Sequence, residues 1–135
     1  MLGLFKSKKK AKHPRILVID DEPDLVSTMQ CRLEWYGCEI ISACNGQDGM
    51  EKAASEKPDL ILLDTTMPVV NGHEMLEQLR RDPALKDTPV IMVTAICAPE
   101  DIAKASSYGV ADYVTKPFDY AELMEKIKNT LQDKG

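Results

Sequence analysis

The chain has 135 residues, of which 44% are hydrophobic and 29% are charged. This length and balance are typical of one soluble globular domain, and no apolar run is long enough to span a bilayer. The four cysteines form no CxxC pair and lie far from both histidines, so neither a structural zinc site nor a disulfide framework is expected. Because no secretory signal opens the chain, we expect a cytoplasmic protein.

Charge is distributed unevenly along the chain. Five of the 17 basic residues lie within the first 12 positions, so the rest carries 12 basic and 22 acidic residues, a net charge of −10. An acidic body disfavours nucleic acid as a partner and suits divalent cations where carboxylates converge. We expect residues 1–13 to form a disordered basic tail and residues 14–135 to form one domain.

The tail allows a second interpretation. Leu2, Leu4 and Phe5 precede the lysine cluster. Apolar side chains next to several lysines can make a weak contact with an anionic membrane. A solvated tail is the simpler explanation of the same residues, and it is the one that we adopt.

Five apolar runs, most of them rich in β-branched residues, predict strands. The first, third and fourth are apolar throughout, as in strands buried on both faces of a parallel sheet. The second and fifth are more broken, as strands at or near a sheet edge are. In chain order the runs are Ile16–Ile19, Glu39–Ser42, Leu60–Leu63, Val90–Val93 and Val110–Val114.

A helical pattern follows each run. Pro23 fits the first turn of helix 1, and helix 3 ends before Asp82-Pro83, with residues 80–89 as the longest connection. Five alternating strand–helix units predict an α/β fold, a doubly wound five-stranded parallel sheet with helices on both faces. The strand order 2-1-3-4-5 is one common solution for such a sheet.

Polar residues directly follow four of the five apolar runs. In a doubly wound sheet, ligands bind outside the carboxyl ends of the strands, so these side chains are expected to share one crevice. They are Asp20, Asp21 and Glu22 after strand 1, Asp64 after strand 3, Thr94 after strand 4, and Thr115 and Lys116 after strand 5.

This set of residues suits phosphoryl chemistry. Adjacent carboxylates repel each other unless a cation neutralises them, and hard oxygen ligands favour Mg²⁺. A lysine and a hydroxyl supply donors to an anion, and a carboxylate can act as a nucleophile that forms an acyl phosphate. Asp64 is the best candidate nucleophile because it stands alone at the end of the central strand.

The motifs together resemble the receiver domain of two-component response regulators, which has a flavodoxin-like fold. The resemblance covers about residues 14–133. The matching segments are Ile16–Pro23 (ILVIDDEP), Pro58–Pro68 (PDLILLDTTMP) with Asn71-Gly72, Val90–Ala95 (VIMVTA) and Ala111–Phe118 (ADYVTKPF).

The resemblance implies a role for each site residue. Asp64 would be the phosphoacceptor, and Asp20 and Asp21 would hold Mg²⁺ (or Mn²⁺) with Asp64 and the backbone carbonyl of Thr66. Thr94 would be the switch hydroxyl, Lys116 would pair with a phosphoryl oxygen, and Tyr113 would be the switch aromatic. The Lys116–Pro117 peptide bond is expected to be cis.

By the same resemblance, the chain would be a phospho-switch and not an enzyme with a separate substrate. A sensor histidine kinase or a histidine phosphotransfer protein would supply the phosphoryl group, and the signal would pass to a downstream protein. We expect a stand-alone, single-domain regulator, as a monomer or as a phosphorylation-dependent dimer. A small-molecule aspartyl-phosphate phosphatase and a flavodoxin-like binder are alternatives. The phosphatase needs Asp-x-Asp after strand 1, where this chain has Asp-Asp-Glu-Pro, and the binder needs a Ser/Thr/Gly phosphate loop there, where this chain has carboxylates.

Overall fold

The computed structural model describes residues 13–64, 72–95 and 99–133. The five strands are β1 (Arg15–Ile19), β2 (Glu39–Ala43), β3 (Leu60–Asp64), β4 (Val90–Thr94) and β5 (Asp112–Thr115). The five helices are α1 (Pro23–Trp35), α2 (Gly46–Glu56), α3 (Gly72–Arg81), α4 (Pro99–Ser107) and α5 (Tyr120–Asp133). Strands and helices alternate along the chain, as the sequence predicts.

The strands form one parallel sheet in the order β2-β1-β3-β4-β5, which confirms the predicted topology. The two broken runs are the edge strands β2 and β5, and the continuously apolar runs are the three central strands. Each central strand needs apolar side chains on both sides because helices cover both faces of the sheet.

Side chains of successive strand residues point to opposite faces and build two cores. On one face, Leu17 and Ile19 of β1 pack with residues of α2 and α3. On the other face, Ile16 and Val18 pack with residues of α1 and α5. Gly49 of α2 lies against β1, because a Cβ atom built on it would come within 2.6 Å of Ile19 Cδ1.

Some element bounds differ from the sequence-based ones. Strand β5 begins at Asp112 and not at Val110, because Gly109 occupies a turn at φ +75° and the next residues leave that turn. Helix α3 includes Arg80 and Arg81, so the connection after it is shorter than residues 80–89. Pro23 is the first residue of α1, as predicted.

Within the described residues, no helix is long and apolar enough to cross a membrane. The predicted tail, except for His13, lies outside the described residues. His13 contacts the body of the domain, since its Nδ1 atom lies 3.0 Å from the carbonyl oxygen of Gly37.

Candidate functional site

The sheet places the predicted site residues at its carboxyl edge. Asp20 directly follows β1, while Asp64 and Thr94 are the last residues of the adjacent strands β3 and β4. Asp64 lies opposite Val93 in the strand register, so Thr94 is one residue further along the neighbouring strand. Lys116 follows β5, and its backbone N–H donates to the carbonyl of Thr94 at 2.9 Å.

Three polar side chains at this edge are unusual because they are buried. Asp20 and Asp64 are each 3% exposed and Thr94 is 4% exposed, and these are the buried polar or charged side chains in the described part of the chain. Burial of a carboxylate is costly unless a cation or hydrogen bonds compensate for the lost water. Concentration of the buried polar groups at three neighbouring strand ends therefore indicates a site and not a packing accident.

Three carboxylates converge at this edge. Oxygen atoms of Asp20, Asp21 and Asp64 lie within 4.8 Å of one another, with Asp21 exposed to solvent. Burial raises the pKa of Asp20 above its usual value, and the nearby charge of Asp64 raises it further, although the N–H of Glu22 and the ammonium of Lys116 oppose the rise. A cluster of carboxylate oxygens that repel each other is the donor set that Mg²⁺ prefers in proteins.

Lys116 supplies the compensating positive charge. Its Nζ atom lies 3.2 Å from Asp20 Oδ2, 3.4 Å from Glu22 Oε1 and 3.7 Å from Asp64 Oδ2. Burial alone would lower the pKa of Lys116, but the charges of Asp20, Asp64 and Glu22 outweigh burial and raise it. Lys116 is therefore a firmly protonated ammonium within reach of any anion bound at Asp64.

Of the remaining predicted features, the structure describes the Lys116–Pro117 peptide bond and Tyr113 but not Thr66. The Lys116–Pro117 peptide bond is cis, as expected. Tyr113 lies on β5, half-buried, and its hydroxyl shares a hydrogen bond of 2.7 Å with Ser106 Oγ of α4. Thr66 lies outside the described residues, so its proposed carbonyl ligand stays a prediction.

Two of these side-chain contacts could not be predicted from the sequence. Glu22 was noted there as a carboxylate after strand 1, but its ion pair with Lys116 depends on a residue 94 positions away. No local sequence pattern links Ser106 to Tyr113. In both cases the partner is set by the packing of elements that are distant in sequence.

Comparison with known proteins gives consistent results. The profile of the response regulator receiver domain family matches residues 16–128. The chain is 38% identical to the DNA-binding dual master transcriptional regulator RpaA of Synechocystis, over 88% of this chain and 49% of that protein. It is also 38% identical to Protein PilH of Pseudomonas aeruginosa, over 87% of this chain and 97% of PilH. This chain thus spans about half the length of RpaA but nearly all of PilH.

Solved structures show the same architecture. A CheY-like receiver domain protein from Methanospirillum hungatei superposes with a TM-score of 0.85 at 30% identity, covering 90% of this chain and 95% of that one. The chemotaxis protein CheY4 of Vibrio cholerae superposes with a TM-score of 0.82 at 26% identity, covering 87% and 98%.

Proposed function

Because this chain belongs to the response regulator receiver domain family of two-component systems, we propose that it accepts a phosphoryl group on Asp64 and signals through the resulting change of its surface. The observation that carries the proposal is the arrangement of Asp64. Its carboxylate is buried at the end of the third strand, beside two further aspartates and 3.7 Å from the ammonium of Lys116.

In the proposed reaction, an oxygen of Asp64 attacks the phosphorus atom of a phosphohistidine. A P–O bond forms as the P–N bond breaks, and the released imidazole takes up a proton. The product is an acyl phosphate on Asp64. Lys116 would pair with a phosphoryl oxygen and so offset the charge that accumulates at the site.

The carboxylates of Asp20, Asp21 and Asp64 fit a divalent cation, since they are hard oxygen donors that converge. We assign them, with the backbone carbonyl of Thr66, to a Mg²⁺ or Mn²⁺ ion. Such an ion, when bound, supplies positive charge that lowers the repulsion between the carboxylates and an incoming phosphoryl group. Asp20 and Asp64 would also be held in place by their strands, which are rigid elements.

The signal would pass through Thr94 and Tyr113. Thr94 would move to bind the phosphoryl group with its hydroxyl, and Tyr113 would turn inward as Thr94 moves. In the present structure, the Tyr113 hydroxyl shares a hydrogen bond with the hydroxyl of Ser106. The proposed turn of Tyr113 therefore requires that this hydrogen bond break, which links the site to helix α4.

The partners that we propose follow from the family. A sensor histidine kinase or a histidine phosphotransfer protein would be the donor, and a protein would be the downstream target. The regulator would act as a monomer or as a phosphorylation-dependent dimer. We place the protein in the cytoplasm, where kinase domains act, with the basic tail available for a weak membrane contact.

Intact-protein mass spectrometry tests the acceptor. After incubation with Mg²⁺ and acetyl phosphate, we expect the wild-type chain to gain the mass of one phosphoryl group. Asp64→Asn should gain none, because its amide is not a nucleophile toward phosphorus. Chelation of Mg²⁺ should abolish the gain in the wild type.

Asp59→Asn is the matched control, because Asp59 accepts a hydrogen bond from the backbone of Arg15 and is not one of the clustered carboxylates. It should be phosphorylated like the wild type. A wild-type chain that gains no mass, or an Asp64→Asn variant that does, contradicts the proposed function.

A further inference from the structure

Glu22 occupies the position just before helix α1, but its side chain does not cap that helix. A side-chain oxygen at this position commonly accepts a hydrogen bond from an N–H of the first turn. Glu22 makes no such bond. Its Oε1 atom instead accepts a hydrogen bond from Lys116 Nζ at 3.4 Å. The side chain is thus used for a contact across the site.

The backbone of Glu22 is fixed next to that contact. Its N–H donates to Asp20 Oδ1 at 3.0 Å, and its carbonyl accepts from the N–H of Val26 at 3.0 Å. The second oxygen of Asp20 accepts from Lys116 at 3.2 Å. Asp20 therefore holds both the backbone of Glu22 and the ammonium that the Glu22 side chain binds.

The Lys116 ammonium lies closer to Asp20 and Glu22 than to Asp64. An ammonium has three N–H groups, and Lys116 donates to Asp20 and to Glu22. The distance to Asp64 Oδ2, 3.7 Å, is beyond hydrogen-bond length. A phosphoryl group on Asp64 would therefore compete with Asp20 and Glu22 for the charge of this ammonium.

The two carboxylates differ in how easily they give up the ammonium. Asp20 is 3% exposed, so loss of Lys116 would leave a buried charge with less compensation. Glu22 is 64% exposed, and water can replace Lys116 as its partner at small cost. Glu22 is therefore the partner that Lys116 would leave.

We propose that Glu22 is a positioning residue that holds the Lys116 ammonium away from Asp64 until a phosphoryl group competes for it. The inference rests on the proposed function, since it concerns the same lysine. In this role the side chain of Glu22 acts through its ion pair with Lys116. Its removal should let Lys116 bind a phosphoryl group more tightly, because an opposing contact is lost.

The size of the effect follows from the exposure of Glu22. An exposed ion pair contributes little free energy, so its loss changes an equilibrium constant by about two- to five-fold. Glu22→Gln should therefore lower the half-saturating concentration of a phosphoryl analogue by about that factor. Glu22→Ala also removes the side-chain oxygen that a glutamine would keep, so it should lower the half-saturating concentration at least as much.

The experiment uses beryllium fluoride as the phosphoryl analogue, with Mg²⁺ saturating for every variant. The half-saturating concentration is measured from the backbone amide resonance of Thr94 in ¹⁵N-labelled protein, and the same spectra report whether each variant is folded. Asp24→Asn is the matched control. It removes one exposed negative charge two residues further along, from a carboxylate that is not paired with Lys116.

Tighter binding in both Glu22 variants, with Asp24→Asn equal to the wild type, supports the inference. Unchanged or weaker binding in the Glu22 variants overturns it, and so does an equal gain in Asp24→Asn, which would show a general effect of charge. These failures leave the proposed function standing if the wild type still binds beryllium fluoride and is phosphorylated on Asp64. A wild type that neither binds beryllium fluoride nor is phosphorylated contradicts both the proposed function and this inference.

Discussion

At the scale of single residues, burial decides which side chains are chemically available. Cys38 is 5% exposed within the core beneath α1, whereas Cys31 and Cys44 are exposed. Burial raises the pKa of the Cys38 thiol to about 12. The thiolate is the reactive form of cysteine, so at pH 8 Cys38 is both shielded and protonated.

We expect alkylation by iodoacetamide at pH 8 to modify Cys31 and Cys44 and to spare Cys38. The thiolate fraction of Cys38 at that pH is on the order of one in ten thousand, so its rate should be at least about 100-fold lower. Peptide mapping after timed quenching measures the rates. In denaturant all three should react alike, and rapid labelling of Cys38 in the folded protein would contradict its burial.

At the scale of elements, one arginine connects three segments. The guanidinium of Arg80, near the end of α3, donates to the carbonyls of Lys86 and Thr88 in the connection to β4. It also donates to those of Tyr108 and Gly109 in the turn after α4. Burial lowers the pKa of this guanidinium, although the charge of Asp87 opposes the change. No local sequence pattern predicts that Arg80 donates to these backbone carbonyls.

We expect Arg80→Lys to lower the free energy of unfolding by about 1–3 kcal/mol, because one ammonium cannot serve four carbonyls on two segments. Arg81→Lys is the matched control on the next residue. Arg81 is 77% exposed and pairs with Glu77, so its replacement should change the free energy of unfolding by less than about 0.5 kcal/mol. Urea denaturation measures both, and equal effects would argue against the role given to Arg80.

At the scale of the whole molecule, the acidic body and the carboxyl edge of the sheet favour the same ligand. The residues after the tail carry a net charge of −10, and the buried carboxylates lie at one edge. Any ligand that binds the folded state and not the unfolded chain raises stability. A divalent cation bound at the Asp20–Asp21–Asp64 cluster should therefore stabilise the fold.

We expect Mg²⁺ to raise the melting temperature of the wild type, with a stabilisation of about 2.7 kcal/mol at 100 times the dissociation constant. Asp21→Asn should reduce the rise, because one of the converging ligands loses its charge. Differential scanning calorimetry measures the shift, and NaCl at matched ionic strength controls for screening. An equal shift in NaCl, or an undiminished shift in Asp21→Asn, would count against the assigned metal site.

Much of the fold could be predicted because burial leaves a clear mark on a parallel sheet. Runs such as Leu60–Leu63 are apolar at every position, since both faces of a central strand are covered by helices. The polar residue that ends such a run is then conspicuous. Asp64 and Thr94 could be picked out as site candidates for this reason, although their chemical roles are still predictions.

The sequence by itself determined the strands, their burial, and the edge at which Asp20, Asp64 and Lys116 meet, because these depend on local hydrophobic pattern and on the rule that parallel strands end together. Only the tertiary structure decided the individual partners. Lys116 meets Glu22 across 94 residues, and Arg80 meets Tyr108 across 28. Such contacts depend on the strand order and on the packing of helices against the sheet, and periodicity along the chain carries no information about them.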